Sequence, residues 1–281
     1  MRIAPPMRVV LALSLAGAAA AAPVKHPFPT DAACAMSAPH LPASFAAGEL
    51  LEFDLDAIGA KAGTLTMRTL RTTAAGLVPV EAVAQTNTFF SKVRRVHGTG
   101  TSFLNPKTLR PGRYVEESTE NEVHRSADAV FLDGEHKVRT SSHMNGAPSG
   151  RDFRLGPVAL DNVGAVYFMR SLPLAKGLPL CFDVFAIRRM WRMSGKVIAR
   201  EHVSLPIGEF EAWHLQGEAV RMDDPTQHRE VHLWVSDDAR RLPLVAVGSI
   251  DLGAVRATLT AFERPMDKGN KARARKQDVP F

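Results

Sequence analysis

Past its first two dozen residues, the chain has no long hydrophobic run. None of its later segments reaches the roughly 18 uninterrupted apolar residues that a membrane-spanning helix requires. Catalytic signatures are missing as well. There is no GxSxG elbow, no Walker loop, no HExxH and no Cys–His pair near either cysteine, so the usual motifs of serine or cysteine hydrolysis, phosphate cradling and zinc peptidase chemistry are all absent. No cofactor is called for. An excess of one charge is also lacking where it would matter. The formal net charge is +6, but Arg2 and Arg8 sit at the start, and six Lys or Arg against Asp267 and Asp278 sit between Arg264 and Phe281. The body between Pro23 and Glu263 carries 27 charges of each sign. A neutral body gives no general electrostatic reason to bind nucleic acid, which needs several phosphate-neutralising cations on one face.

What is present begins with an export pattern. MRIAPPMR has two arginines and no acid, and VVLALSLAGAAAA then runs apolar to about Ala21, with small residues to Ala22 for cleavage. Residues 1–22 are expected to be a signal peptide and residues 23–44 a Pro/Ala-rich lead-in. The product is expected to be periplasmic and not an integral membrane protein. Export permits a disulfide, and Cys34 and Cys181 are the only two cysteines. A buried free thiol in LPLCFDVF is the equally ordinary alternative for Cys181. Lipidation of Cys34 is disfavoured by Asp31, which stands where a lipidation signal carries a leucine-like residue. Residues 264–281 lack apolar periodicity and read as a basic, disordered, solubilising tail, with contact to anionic lipid as the alternative.

From Gly48 the pattern changes to short alternating segments. In LLEFDLDAIG, Leu51, Phe53 and Leu55 share one face and Glu52, Asp54 and Asp56 the other; GTLTMRTL repeats the pattern, and IGAKAG between them reads as a turn. Similar strand candidates follow in LVPVEAVAQ, KVRRVHGTGTSFL, RYVEESTENEVHR, DAVFLDG, HKVRTSSH, LCFDVFAIR, RMWRMSGKVIAREHVSL, EFEAWHLQGEAV, REVHLWVS, LPLVAVGS and GAVRATLTAFE. DNVGAVYFMRSLPL alone has helical spacing, opened by the capping residue Asp161 and ended by Pro173. The fold class is therefore mainly β. A single domain over residues 45–263 is expected, with about eleven antiparallel strands in a curved sheet or partly open barrel and one short helix.

The order GELLEFDLDAIGAKAGTLTM, TSFLNPKTLRPGRYVEES, DNVGAVYFMRSLPL, VIAREHVSLPIGEFEAWHL and VHLWVSDDARRLPLVAVGSIDLGAVRATL resembles the bacterial domain-of-unknown-function family 3108 (DUF3108) from about Phe45 to Glu263. The resemblance implies an exported β-rich protein with no assigned reaction. It also implies a curved antiparallel sheet like that of lipoprotein-carrier proteins, and it brings no catalytic residues to carry over.

Two clusters invite chemistry. Asp237 and Asp238, followed by Arg240 and Arg241, offer paired carboxylates and an arginine clamp. General acid–base work needs the two acids in different environments, whereas Asp at a strand end caps turns and pairs bidentately with Arg. Together with Trp234, these residues are expected to be a structural motif. If EFEAWHLQGEAVRM and HREVHLWVS pair as a hairpin, Glu218, His228 and His232, with His214 further along, lie on one face, opposite Trp213, Leu215, Leu233 and Val235, which is the pattern of a solvated face, so no metal site is expected. GTGTS at Gly98 lies between strands instead of opening a helix and is read as a bulge or tight bend. The function expected on these grounds is a non-enzymatic binding or carrier module for a lipid or other amphipathic envelope ligand. The alternative is a structural protein that meets an envelope partner protein.

Overall fold

The computed structural model describes residues 47–186, 188–250 and 253–264; the expected signal peptide, the lead-in with Cys34 and the tail beyond Arg264 lie outside the described residues. The described chain forms β1 (Leu50–Ala57), β2 (Ala60–Thr69), β3 (Val78–Thr86), β4 (Val96–Leu104), β5 (Pro111–Glu120), β6 (Val123–Leu132), β7 (Lys137–Met144), β8 (Ala147–Arg154) and β9 (Ala159–Asp161). Helix α1 (Asn162–Arg170) follows, then β10 (Pro179–Ala186), β11 (Arg189–Leu205), β12 (Gly208–Arg221), β13 (His228–Ser236), β14 (Pro243–Ile250) and β15 (Gly253–Glu263). All fifteen strands join one sheet in the order β8 to β1, then β15 down to β9. Among the described residues only β9 and β10 pair in parallel.

Fifteen strands exceed the eleven or so expected. The strands with no candidate segment are β8 and the three-residue β9, while RYVEESTENEVHR breaks at Asn121, whose left-handed φ of 52° turns the chain, and its second half joins DAVFL in β6. The strand β8, APSGRDFR, is exposed at seven of its eight positions and so shows no apolar alternation. The expected IGAKAG turn shrinks to Ile58 and Gly59, both at positive φ, and β2 begins at Ala60. GTGTS forms an uninterrupted part of the β3–β4 ladder, so the expected bulge at Gly98 is absent.

Register shifts bend the sheet at Glu52/Phe53, Leu55/Asp56, Phe103/Leu104, Val197/Ala199 and Trp234/Val235. Gly195 faces Gly217 across β11 and β12, and a Cβ on Gly195 would run into the Gln216 carbonyl, so the pair permits close approach of the strands. The sheet then rolls until it laps over itself. Phe182 of β10 meets Phe168 of α1 at 6.5 Å, while Phe185 on the opposite face of β10 meets Tyr114 of β5 and Phe153 of β8 at 6.3 and 6.2 Å. Tyr114 of β5 and Phe153 of β8 therefore pack on the Phe185 face of β10, within the larger core. Arg151 of β8, reaching Asp223 in the β12–β13 turn at 3.3 Å, fastens the overlap.

The helix sits where the roll closes. Asp161 caps it, accepting hydrogen bonds from the Val163 and Gly164 amides at 2.9 and 2.7 Å, while the Ser102 hydroxyl of β4 donates to its other oxygen at 2.6 Å. Val163 and Tyr167 pack into the larger core with Leu51, Phe53, Val80 and Leu104; Ala165 and Phe168 pack into the second core with Leu180, Phe182, Leu215 and Leu233. One nine-residue helix thus ties the two halves of the sheet together.

Candidate functional site

Strands β2–β6 curve around the amino end of α1 and leave a pocket of about 220 Å³. Its floor follows from side-chain size. Ala82 pairs with Gly100 and Ala84 with Gly98 across β3 and β4, so four adjacent inward positions carry almost no side chain. A Cβ on Gly100 would lie 2.5 Å from the Tyr114 hydroxyl, so the glycine is what lets Tyr114 lie across the strand. Leu65 and Val163 complete the apolar lining.

Polar groups gather along the opposite edge. Tyr114 is 2 % exposed, and burial first, then the charges of Glu116 and Asp161, push its hydroxyl far above the ordinary range, so it stays a neutral donor. Glu116 accepts the Arg188 amide at 3.1 Å. Burial, then the neighbouring Arg125 and Arg189, hold the Arg188 guanidinium below its ordinary value, and its buried Nε has no hydrogen-bond partner among the described residues. Arg125 is held by Glu120 at 3.0 Å. The pocket therefore joins an apolar floor to guanidinium, carboxylate and phenol groups. Beneath it Asp161 is fully buried, and desolvation lifts its carboxyl to about 6 despite its three hydrogen bonds.

A second constellation is wholly internal. The guanidinium of Arg170, in the last turn of α1, donates to both oxygens of Glu49 at 2.8 and 2.9 Å, with both side chains inaccessible to solvent. It also donates to the carbonyls of Arg241 and Arg240 at 2.7 and 3.3 Å and lies over the Tyr167 ring. Arg264, the first residue of the expected tail, places its Nε 3.6 Å from Glu49. Three distant stretches, GELLEF, VYFMRSL and DDARRLP, meet at this one arginine.

The Asp–Asp–Arg–Arg cluster is the loop that Arg170 grips. Asp238 accepts the Ser236 hydroxyl at 3.0 Å, the Arg240 amide at 2.8 Å and the Arg240 guanidinium at 2.6 Å. Burial opposes its charge, but the Arg240 hydrogen bonds prevail and hold its carboxyl below the ordinary value. Asp237 faces elsewhere, accepting Trp213 Nε1 and Arg200 Nε, each at 2.8 Å. Arg241 adopts φ 48°, which turns the chain into β14. The two carboxyls have different main partners, and Arg241 reaches both, its amide 3.3 Å from Asp238 and its Nη1 3.5 Å from Asp237.

His214 of β12 stacks with His232 and Trp234 of β13, above Glu201 of β11. His214 stacks on Trp234 at 4.2 Å, its Nδ1 lies 2.9 Å from Glu201, and its Nε2 lies 2.9 Å from Nδ1 of His232. Trp234 Nε1 donates to the other Glu201 oxygen at 2.8 Å, the main reason that carboxyl falls below its ordinary value. His228 turns away to Glu218 at 2.8 Å. Among the described residues no three His, Cys, Asp or Glu side chains converge as a metal-ligand set. Cys181, on β10 opposite Ser194, is disulfide-bonded, while Cys34 lies outside the described residues.

Sequence reasoning missed Glu49, Arg170, Tyr114, Glu116 and Arg188. A single acid before an apolar strand and a cation in a helix's last turn look like ordinary ends, and only the lone Arg within the apolar run VYFMRSLPL hints at burial.

A rolled antiparallel meander with a helix at its seam and a pocket inside makes this a β-barrel-like protein. The chain belongs to the family described as "Protein of unknown function (DUF3108)", whose family model matches residues 52–260. Among solved structures, a β-barrel-like protein of domain of unknown function DUF1849 from Brucella abortus superposes with a TM-score of 0.53 at 10 % identity, covering 78 % of this chain and 98 % of its own. A protein of YmcC-like fold from Bacteroides fragilis gives a TM-score of 0.33 at 9 % identity, covering 81 % and 100 %. The first likeness shows the shared fold and nothing about activity. The curated proteins contain no match. Among the described residues no helix is long and apolar enough to cross a membrane.

Proposed function

We propose that this protein is an exported, non-enzymatic binding module that holds one end of an amphipathic envelope molecule in the pocket between β2–β6 and α1. The observation that supports this reading is the pocket's division into an Ala–Gly floor and an edge bearing Arg125, Arg188, Glu116 and Tyr114. At about 220 Å³ it is smaller than the roughly 300 Å³ at which pockets enclosing whole drug-sized ligands begin. It suits a single acyl end or compact headgroup, with the remainder of the molecule outside, and not a complete two-chain lipid. The paired aspartates are the brace of a loop in this reading, and the bound ligand undergoes no chemistry.

The test is binding of a fluorescent single-chain fatty acid together with mass spectrometry of lipid co-purifying with the protein. Ala84→Phe fills the floor and is expected to abolish probe binding while melting stays cooperative. Undiminished binding by that variant, or the absence of any bound amphiphile in both assays, overturns the proposal.

A further inference from the structure

The end of the barrel that carries the β1–β2 turn and the β3–β4 loop gathers the most exposed apolar side chains of the described residues. Ile58, Phe89 and Val93 are 70 %, 71 % and 72 % exposed, the three most exposed of the large hydrophobic residues in the described chain. Ile58 is doubly out of place. It occupies the first position of a two-residue hairpin turn at φ 52°, where Asn, Asp or Gly is favoured and a β-branched residue is strained. Its side chain gains no burial in return.

These side chains are held outward by a fixed scaffold. Asn87 locks the β3–β4 loop to the β1–β2 hairpin, donating from its amide to the Ala62 carbonyl at 2.8 Å and from its side chain to the Lys61 carbonyl at 2.5 Å, while accepting the Phe90 amide at 2.8 Å. Phe90, 7 % exposed, packs with Ala57 and Ala62 beneath the tip, which leaves Phe89 pointing away. The seven residues Phe89–Arg95 hold three cations and no acid. Lys92 is exposed, and Arg95 is 61 % exposed with the 93 % exposed Glu122 as its acidic partner among the described residues. The pocket lies directly below: Ala84 and Gly98, two residues from the ends of β3 and β4 at this loop, are part of its lining.

We propose that this end of the barrel docks on a phospholipid surface carrying anionic headgroups, with Ile58, Phe89 and Val93 entering the headgroup–acyl boundary and Lys92 and Arg95 meeting phosphates. A bilayer is favoured over a protein partner because the apolar groups are protrusions on two turns. A stable protein interface asks for a flush patch of about 800 Å² on each side, whereas an interfacial membrane site asks for apolar tips flanked by Lys and Arg. Docking here also brings the pocket next to the surface from which an amphiphile would come, but the docking reading stands on the tip alone.

The experiment is co-sedimentation of the full chain with vesicles of phosphatidylethanolamine and phosphatidylglycerol. The triple variant Ile58→Asn/Phe89→Ser/Val93→Ser is expected to lose vesicle affinity by at least about tenfold. Its melting temperature should hold or rise, because Asn accepts the left-handed turn position. Lys92→Glu/Arg95→Glu should remove the preference for phosphatidylglycerol over phosphatidylcholine vesicles. Absence of binding by the wild-type chain, or equal binding by the triple variant, overturns the proposal. Because the probe is the vesicle and not a pocket ligand, either result is independent of pocket occupancy.

Discussion

The arginine at the end of α1 offers the sharpest test of what holds the roll closed. Glu49→Gln leaves the Arg170 guanidinium buried with carbonyl acceptors and no counter-ion beyond them; Arg170→Met leaves the Glu49 carboxylate buried with only Arg264 at 3.6 Å. Removing one member of a buried ion pair costs about 3–5 kcal/mol. In a domain of this size each kcal/mol lowers the melting temperature by about 2–4 °C, so each single variant should melt roughly 10 °C lower. The double variant Glu49→Gln/Arg170→Met carries no stranded charge and should be more stable than the sum of the single losses predicts, by about 1–3 kcal/mol. Full recovery is not expected, because the Arg240 and Arg241 carbonyls lose their donor, at about 1–3 kcal/mol for each that stays dry. Urea unfolding of the four proteins, with m-values compared to confirm a common two-state transition, gives the cycle. Single losses below about 1 kcal/mol, or losses that simply add, would refute the claim that the pair is a coupled, desolvated unit.

Two other outcomes follow from named groups. Burial raises Asp161 to about 6 from the ordinary value of 3.8, so the folded state binds this proton more tightly than the unfolded one, and this group's contribution to stability falls as pH rises from about 4 to about 6. Asp161→Asn keeps the cap acceptor and should be more stable than wild type at pH 7 by up to about 3 kcal/mol, the difference shrinking toward pH 4; a difference independent of pH would defeat the assignment. We also propose that Cys34 is the partner of the disulfide-bonded Cys181. Reduction under denaturing conditions should add two hydrogens to the monomer mass, and a peptide map without a Cys34–Cys181 crosslink would rule the pairing out.

Strands that bury one face were legible in the chain, and β11 was bounded correctly at both ends by its own composition, from Arg189 to Leu205. Strand β8 was not, because an edge strand carrying Pro148, Gly150, Arg151 and Asp152 is written to resist further pairing, and that resistance erases the apolar alternation. The pocket hid for a related reason. Gly98 and Gly100 look like punctuation in one dimension and become an empty floor only when Ala82 and Ala84 are laid beside them by the register. The Glu49–Arg170 pair spans 121 residues, and no local pattern records a contact made only when the sheet closes. Asp237 and Asp238 read as turn chemistry in the sequence, and their hydrogen bonds are those of a braced loop.

The pairing of β1 with β15 has a consequence for how such a chain can be made. Strands β1 to β8 and β10 to β15 are each sequential meanders, whose contacts join neighbours in the sequence and can form as the chain emerges. Leu50 pairs with Glu263, so the seam between the two meanders must wait for the last strand to arrive. The entropy of closing so long a loop grows only logarithmically, which makes the delay one of timing more than of stability. Until that strand arrives, β1 is an uncovered edge. A nascent chain therefore carries an open edge on β1 until β15 arrives to pair with it.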